Sequence, residues 1–274
     1  MTRIARPFAL SLLTAAVVIA LPDSALAQTT APRKPGARGR PAPQAPAKPA
    51  ATRFRLVLNA VGALTTQSYS DVRTPTAYAE QATIRTSYEA GSGFGPDLAL
   101  QLSLYRGLGI LAGYSRVTRD VTGSVDVSRP HPLYLNRPRS ATAEISGYGY
   151  TESGIDFDLA FARGASSLDW ALFAGVTLFQ VEADLLEAPT FDETYPYDEL
   201  TIVSTPALAV DETATGFNVG GRLDYRFGSS RRFGVGVQVR YSTASVGLKA
   251  GSDATEANLD LGGLSVGGGV RLYF

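Results

Sequence analysis

The 274-residue chain has no cysteine. That excludes disulfide staples and a cysteine-anchored lipoprotein, and it fits an oxidising compartment where stray thiols are a hazard. Charged residues are scarce, at 18%. Histidine occurs once, as His131. One histidine makes a poor metal site because ligands come in sets, so no metal and no cofactor are expected. Beyond the first 27 residues no stretch is apolar enough for a transmembrane helix. The glycines at 216, 220, 221, 234, 236, 262, 263 and 267–269 contain G-x-G fragments, but they lie within strand-like runs with no helix following. A nucleotide fingerprint is therefore rejected. Nothing resembles a nucleic-acid module.

What is present begins with an export signal. Arg3 and Arg6 precede an apolar run from Phe8 to Leu21, which Pro22, Asp23 and Ser24 break. Ala25-Leu26-Ala27 is a small-x-small cleavage site before Gln28. Residues 1–27 thus read as a secretory signal peptide. Residues 28–52 are rich in Pro, Ala and Gly, and carry Arg33, Lys34, Arg38, Arg40 and Lys48 with no acid. Such a segment buries too little apolar surface to offset its ordering entropy, so a disordered periplasmic linker is expected. It serves either as a spacer or as a cationic arm for anionic headgroups or cell-wall polymer. In the body, residues 53–274, acids outnumber bases.

The body alternates at period two. In the last run, Leu264, Val266, Val270, Leu272 and Phe274 fall on one side; Ser265, Gly267, Gly269, Arg271 and Tyr273 fall on the other. A strand produces this pattern because successive side chains point to opposite faces. About eight such runs can be marked: Arg53 to Tyr69, Tyr78 to Tyr105, Leu108 to Val127, a fourth ending near Arg163, Leu168 to Glu187, one around Phe217 to Phe227, one from Phe233, and the last. Asp71 and Pro75 are placed in a loop, and Gly91, Gly93 and Gly95 at a bulge or bend. Near Phe179 the polarity changes, since Gln180, Glu182 and Asp184 share the parity of Trp170, Leu172 and Val176. That marks either a bulge or the point where the strand leaves the membrane. Connections after even runs are short, and those after odd runs are longer, the longest being 188–206. Bacterial outer-membrane barrels have this rhythm and an even strand number. Trp170, Phe227, Phe233, Tyr241 and Phe274 at the run ends suit interfacial girdles. The fold class expected is all-β: an eight-stranded antiparallel transmembrane up-and-down β-barrel with a disordered N-terminal linker. Runs longer than the ~9–11 residues that cross a bilayer imply a collar projecting on the external side.

With the signal, the strand rhythm and the terminus Gly269-Val270-Arg271-Leu272-Tyr273-Phe274 in view, the chain resembles the small OmpA/OmpX-type outer-membrane barrels. The resemblance implies an outer-membrane location in a Gram-negative bacterium and contact with outer-membrane lipid and lipopolysaccharide. It also implies that the barrel-assembly machinery reads Gly269, Leu272 and Phe274. It brings no catalytic residues, and family roles range over anchoring, adhesion, lipid modification and small pores. A monomer is expected.

Three groups of residues are candidates. Arg55, Asp97, Asp156, Asp158, Arg222, Asp224, Arg226, Arg240 and Arg271 fall on the inner face, where buried charges must be paired. They form either a plug or a narrow ion path. Arg129, His131, Arg137 and Arg139 lie in the loop 129–139, and Tyr195 and Tyr197 in the acidic loop 187–206. These are solvated loops that pair with each other, or binding loops, the arginines for lipopolysaccharide phosphates and the tyrosines for a cation or an external ligand. His131 has no nucleophile marked beside it, so an acyl-transfer site is the weakest reading. The leading function is non-enzymatic: a structural or surface-interaction barrel with a plugged lumen. A small-solute or ion pore is the alternative, and a lipid-modifying enzyme the third.

Overall fold

The computed structural model describes residues 54–165, 167–249 and 254–274. The signal peptide with Ala25 and Ala27, and the linker 28–52, lie outside them. The described residues form β1 (Phe54–Ala63), β2 (Gln67–Arg73), β3 (Thr76–Ala77), β4 (Glu80–Gln81), β5 (Thr83–Ala90), β6 (Gly93–Tyr105) and β7 (Leu108–Pro130). There follow β8 (Pro138–Ala165), β9 (Leu168–Leu186), β10 (Thr190–Asp192), β11 (Thr201–Ser204), β12 (Ala207–Phe227), β13 (Phe233–Leu248) and β14 (Ala257–Tyr273).

Eight of these close a ring, in the order β7-β6-β1-β14-β13-β12-β9-β8 and back to β7. All pairings are antiparallel. The two chain ends of the barrel meet, with Phe274 N donating to Phe54 O at 3.0 Å. Above this ring β5 continues the line of β6, and β2 continues that of β1. Their pairings with each other and with β7 carry the wall upward. The breaks at 64–66 and 91–92 are held by one side chain: the Arg119 guanidinium donates to Thr65 O and to Gly91 O.

Polarity runs opposite ways in the two halves. On β9 the outward residues begin with Leu168, Trp170, Leu172, Val176 and Leu178, all exposed. They continue as Gln180, Glu182 and Asp184. The inward residues begin with Asp169 and Thr177 and continue as Phe179, Val181, Ala183 and Leu185, all buried. The β9 ladders show no register shift, so parity holds and the environment changes. The apolar stretch from Leu168 to Leu178, tilted ~45°, spans about 23 Å, the height of a bilayer belt. Higher up, the collar has an ordinary buried core built around Tyr69, Tyr88, Val121, Tyr150, Val181, Leu185 and Leu259. Of the two readings open at Phe179, the strand has left the membrane; there is no bulge.

The bulge is in β8. The β7–β8 register shifts between Val121 and Gly123, and Gly147 opposite adopts φ 77°. That left-handed conformation suits a residue without Cβ. Below it even-numbered residues face inward (Tyr150, Asp156); above it odd-numbered ones do (Ile145, Arg139).

Two sequence expectations change here. Asp71 is not in a loop: β2 carries it into the barrel, where it is 1% exposed and pairs with Arg73 at 3.1 Å. Residues 78–82 are not the start of a long strand. Tyr78 and Ala79, at φ 51° and 64°, turn the small β3–β4 hairpin.

Candidate functional site

The lumen of the belt is filled by charge. Five arginines (Arg55, Arg222, Arg226, Arg240, Arg271) meet five aspartates (Asp97, Asp156, Asp158, Asp169, Asp224) inside the ring. Asp224 is the hub. Its Oδ1 accepts from Arg271 Nε at 2.6 Å; its Oδ2 accepts from Arg222 Nε at 2.9 Å and Arg55 Nη1 at 3.1 Å. Asp169 takes the other nitrogen of Arg55 at 3.2 Å and Arg226 Nη2 at 2.9 Å. Arg271 then donates to Asn59 Oδ1 at 2.7 Å, and Asn59 donates to Asp97 Oδ1 at 2.8 Å. Arg240 bridges Asp97 and Asp156. Arg222 also donates to Gln101. Tyr273 carries the guanidinium of Arg55 over its ring at 4.7 Å. The network is continuous from the turn end to mid-barrel.

All nine interior residues named from the sequence line the lumen. Eight of them ion-pair; Asp158 does not, and instead accepts from Asn218 Nδ2 at 2.8 Å. Asp169 was missed. It sits one residue before Trp170, on the inward parity, so the alternation that located Asp156 and Asp224 reaches it too. Above Asp97 and Asp156, beside Arg119 and Phe179, the lumen holds a cavity of about 40 Å³. That is room for a few waters.

The external mouth is held by a second cluster. Glu193, in the β10–β11 connection, accepts from Tyr78 Oη at 2.5 Å, from Arg139, and faces Arg129 Nε at 3.3 Å. Arg129 lies between the rings of Phe191 and Tyr78, at 4.8 and 5.2 Å. Arg139, 6% exposed, also donates to the carbonyls of Pro130, Tyr197 and Glu199. Arg73 donates to the carbonyls of Leu186 and Glu187. Arg129 and Arg139 are thus occupied inside the mouth, which withdraws them as receptors for lipid phosphates. The bulge at Gly147 is the reason Arg139 points inward.

His131 is 3% exposed. Its ring lies 4.9 Å from that of Tyr134, its Nδ1 accepts from Leu133 N at 3.1 Å, and its Nε2 is 3.9 Å from Asp198 Oδ1. Among the described residues no serine or threonine hydroxyl is hydrogen-bonded to it. Arg137 stays exposed, 3.5 Å from Asp198. Tyr195 is 77% exposed and stands edge-on to the half-buried Tyr197. Leu133, Tyr134 and Leu135 are also exposed at the mouth.

In the collar, burial pushes the hydroxyls of Tyr69, Tyr88 and Tyr150 well above the usual phenol range. They remain neutral; Tyr88 Oη accepts from Leu186 N at 2.8 Å. At Glu193 burial works upward, but Tyr78, Arg139 and Arg129 outweigh it and hold the carboxyl below its ordinary 4.5. A depressed folded value stabilises the docked loop at neutral pH, and that contribution is lost as pH falls from 4.5 through the folded value. Limited proteolysis within residues 188–200 is therefore expected to accelerate below pH 4.5 in the wild type. In Glu193→Gln it is expected to be fast at all pH values.

A closed antiparallel barrel, an aliphatic exterior about one bilayer high and a paired-charge interior define a transmembrane β-barrel of the outer-membrane class. The short turns and both barrel termini lie at one end, the long loops at the other. Comparison with known proteins returned no matching family and no matching curated protein. Among solved structures the chain is similar to the outer membrane protein OprG of Pseudomonas aeruginosa, at 14% identity and TM-score 0.48, over 82% of this chain and 96% of that one. It is similar also to Neisserial surface protein A, at 13% identity and TM-score 0.39, over 81% and 97%. The outer membrane protease OmpT of Escherichia coli follows, at 10% identity and TM-score 0.42, over 81% and 97%. Likenesses of this order bear on neither ligand nor activity.

Proposed function

We propose that this chain is a sealed, non-enzymatic outer-membrane barrel whose role is structural or exerted at its external mouth. The carrying observation is double closure: the Asp224 network fills the lumen and the Glu193 cluster ties the mouth. A pore would need a continuous aqueous path, and the void above Asp97 and Asp156 is only about 40 Å³. The enzyme reading lacks a nucleophile at His131. The reading carries with it export by residues 1–27, a periplasmic linker at 28–52, and a terminal strand recognised by the barrel-assembly machinery. Gly269 also has a packing role: a Cβ there would meet Leu58 O at 1.8 Å, so the closing strand requires a glycine at that register.

The candidate contact surface is the mouth between loops 129–139 and 187–206. Leu135 and Tyr195 are 76% and 77% exposed there, among charged neighbours. Exposed rigid aromatics and aliphatics on loops make contact at low entropy cost. A photo-crosslinking residue at position 195 or 135, irradiated on intact cells, is expected to give one discrete macromolecular adduct. The same residue at Leu172, in the belt, should give lipid adducts alone. Absence of any macromolecular adduct at both mouth positions would leave the structural role without the interaction.

A further inference from the structure

The exposed charge of the barrel is sorted by end. At the turn end the exposed charged side chains among the described residues are all arginine: Arg106, Arg163, Arg231 and Arg232. Two of these are neighbours. Arg106 lies in the β6–β7 turn and Arg163 near the end of β8, and the turns are joined by Ala162 N donating to Gly107 O at 2.7 Å. Arg163 Nε comes within 3.5 Å of where a side chain on Gly107 would begin, so the two arginines are neighbours. Each guanidinium is laid against an aromatic ring: Arg106 over Tyr105 at 4.9 Å, Arg163 over Phe161 at 5.4 Å. Phe161 in turn meets Trp170, centroids 5.7 Å apart. Tyr105 and Trp170 are exposed on the lipid side. Among the described residues, neither arginine has an ion-pair partner.

Stacking holds a guanidinium by its face and leaves its N–H edges open. Those edges match a phosphate bidentately. Their height, at the end of the aliphatic belt, is that of the lipid headgroups. A zwitterionic headgroup brings an ammonium that two arginines repel; an anionic one does not. We propose that Arg106 and Arg163, with Tyr105, Phe161 and Trp170, form a binding site for the phosphodiester headgroup of an anionic phospholipid in the leaflet around the turn end. The proposal rests on the reading of the chain as a membrane barrel.

Trp170 is the chain's single tryptophan and reports on this spot. The full chain is inserted into phosphatidylcholine vesicles containing either brominated phosphatidylglycerol or brominated phosphatidylcholine, and quenching of Trp170 is titrated. Wild type is expected to favour the phosphatidylglycerol on the order of tenfold, from two arginines at the surface. The double variant R106Q/R163Q is expected to lose the preference. Arg232→Gln, on the β12–β13 turn, is expected to keep it, which separates this site from general surface charge. Equal quenching by both lipids in wild type, or an unchanged preference in the double variant, would overturn the site. Quenching by neither lipid would overturn the membrane reading itself.

Discussion

Asp224→Ala is expected to lower the unfolding free energy by about 3–5 kcal/mol, the usual cost of breaking a buried ion pair. Asp224 is 0% exposed and is the shared acceptor for Arg55, Arg222 and Arg271. Removing it leaves three guanidinium groups crowded in the lumen with one carboxylate, Asp169, reaching only Arg55. Asp158→Asn provides the contrast. Its carboxylate accepts from Asn218 and pairs with no arginine, so its loss is expected to cost less than half as much. Urea titration of the detergent-solubilised protein, followed by Trp170 fluorescence, measures both. Equal midpoints for the two variants would show that Asp224 is not the hub.

The second large effect tests the polarity reversal along β9. Val181 is fully buried in the collar, and its chain neighbour Glu182 faces out. Val181→Asp places an unpaired carboxylate in an apolar core and is expected to cost about 3 kcal/mol or more. Glu182→Val is expected to stay within about 0.5 kcal/mol, as for an ordinary surface position. About ten residues lower on the same strand the rule inverts: Leu172→Arg, outward in the belt, is expected to cost about 2–4 kcal/mol in a bilayer. Hydrogen exchange at Tyr148–Tyr150 and on Phe157–Phe161 separates loss of the collar from loss of the belt. Collar protection unchanged in Val181→Asp would contradict a packed apolar interior there.

These two tests mark what was legible in the chain. Alternation located the wall strands and put Asp97, Asp156, Asp224 and Arg271 inside, because period two survives whichever side is apolar. The same rule reaches Asp169, which shares the inward parity of Ala171 and Phe173. It also showed the reversal at Phe179, where an intact register separates the two explanations. Asp71 was misplaced because in the collar inward and outward polarity exchange, and an acid inside an apolar core reads as a loop residue. Arg139 was misread for another reason. A single extra residue at Ser146–Gly147 flips the parity above it, and one glycine among 28 gives no warning of a bulge. The carboxylate partners of Arg129, Arg139 and His131, namely Glu193 and Asp198, lie more than 50 residues away, which no local pattern records.

The central claim is that the barrel is sealed, and single-channel conductance of the full chain in a planar bilayer tests it most directly. The account predicts a silent wild type, with leakage appearing in Asp224→Ala as the displaced arginines admit water. Stable, discrete openings in the wild type would contradict it and make transport the function to pursue.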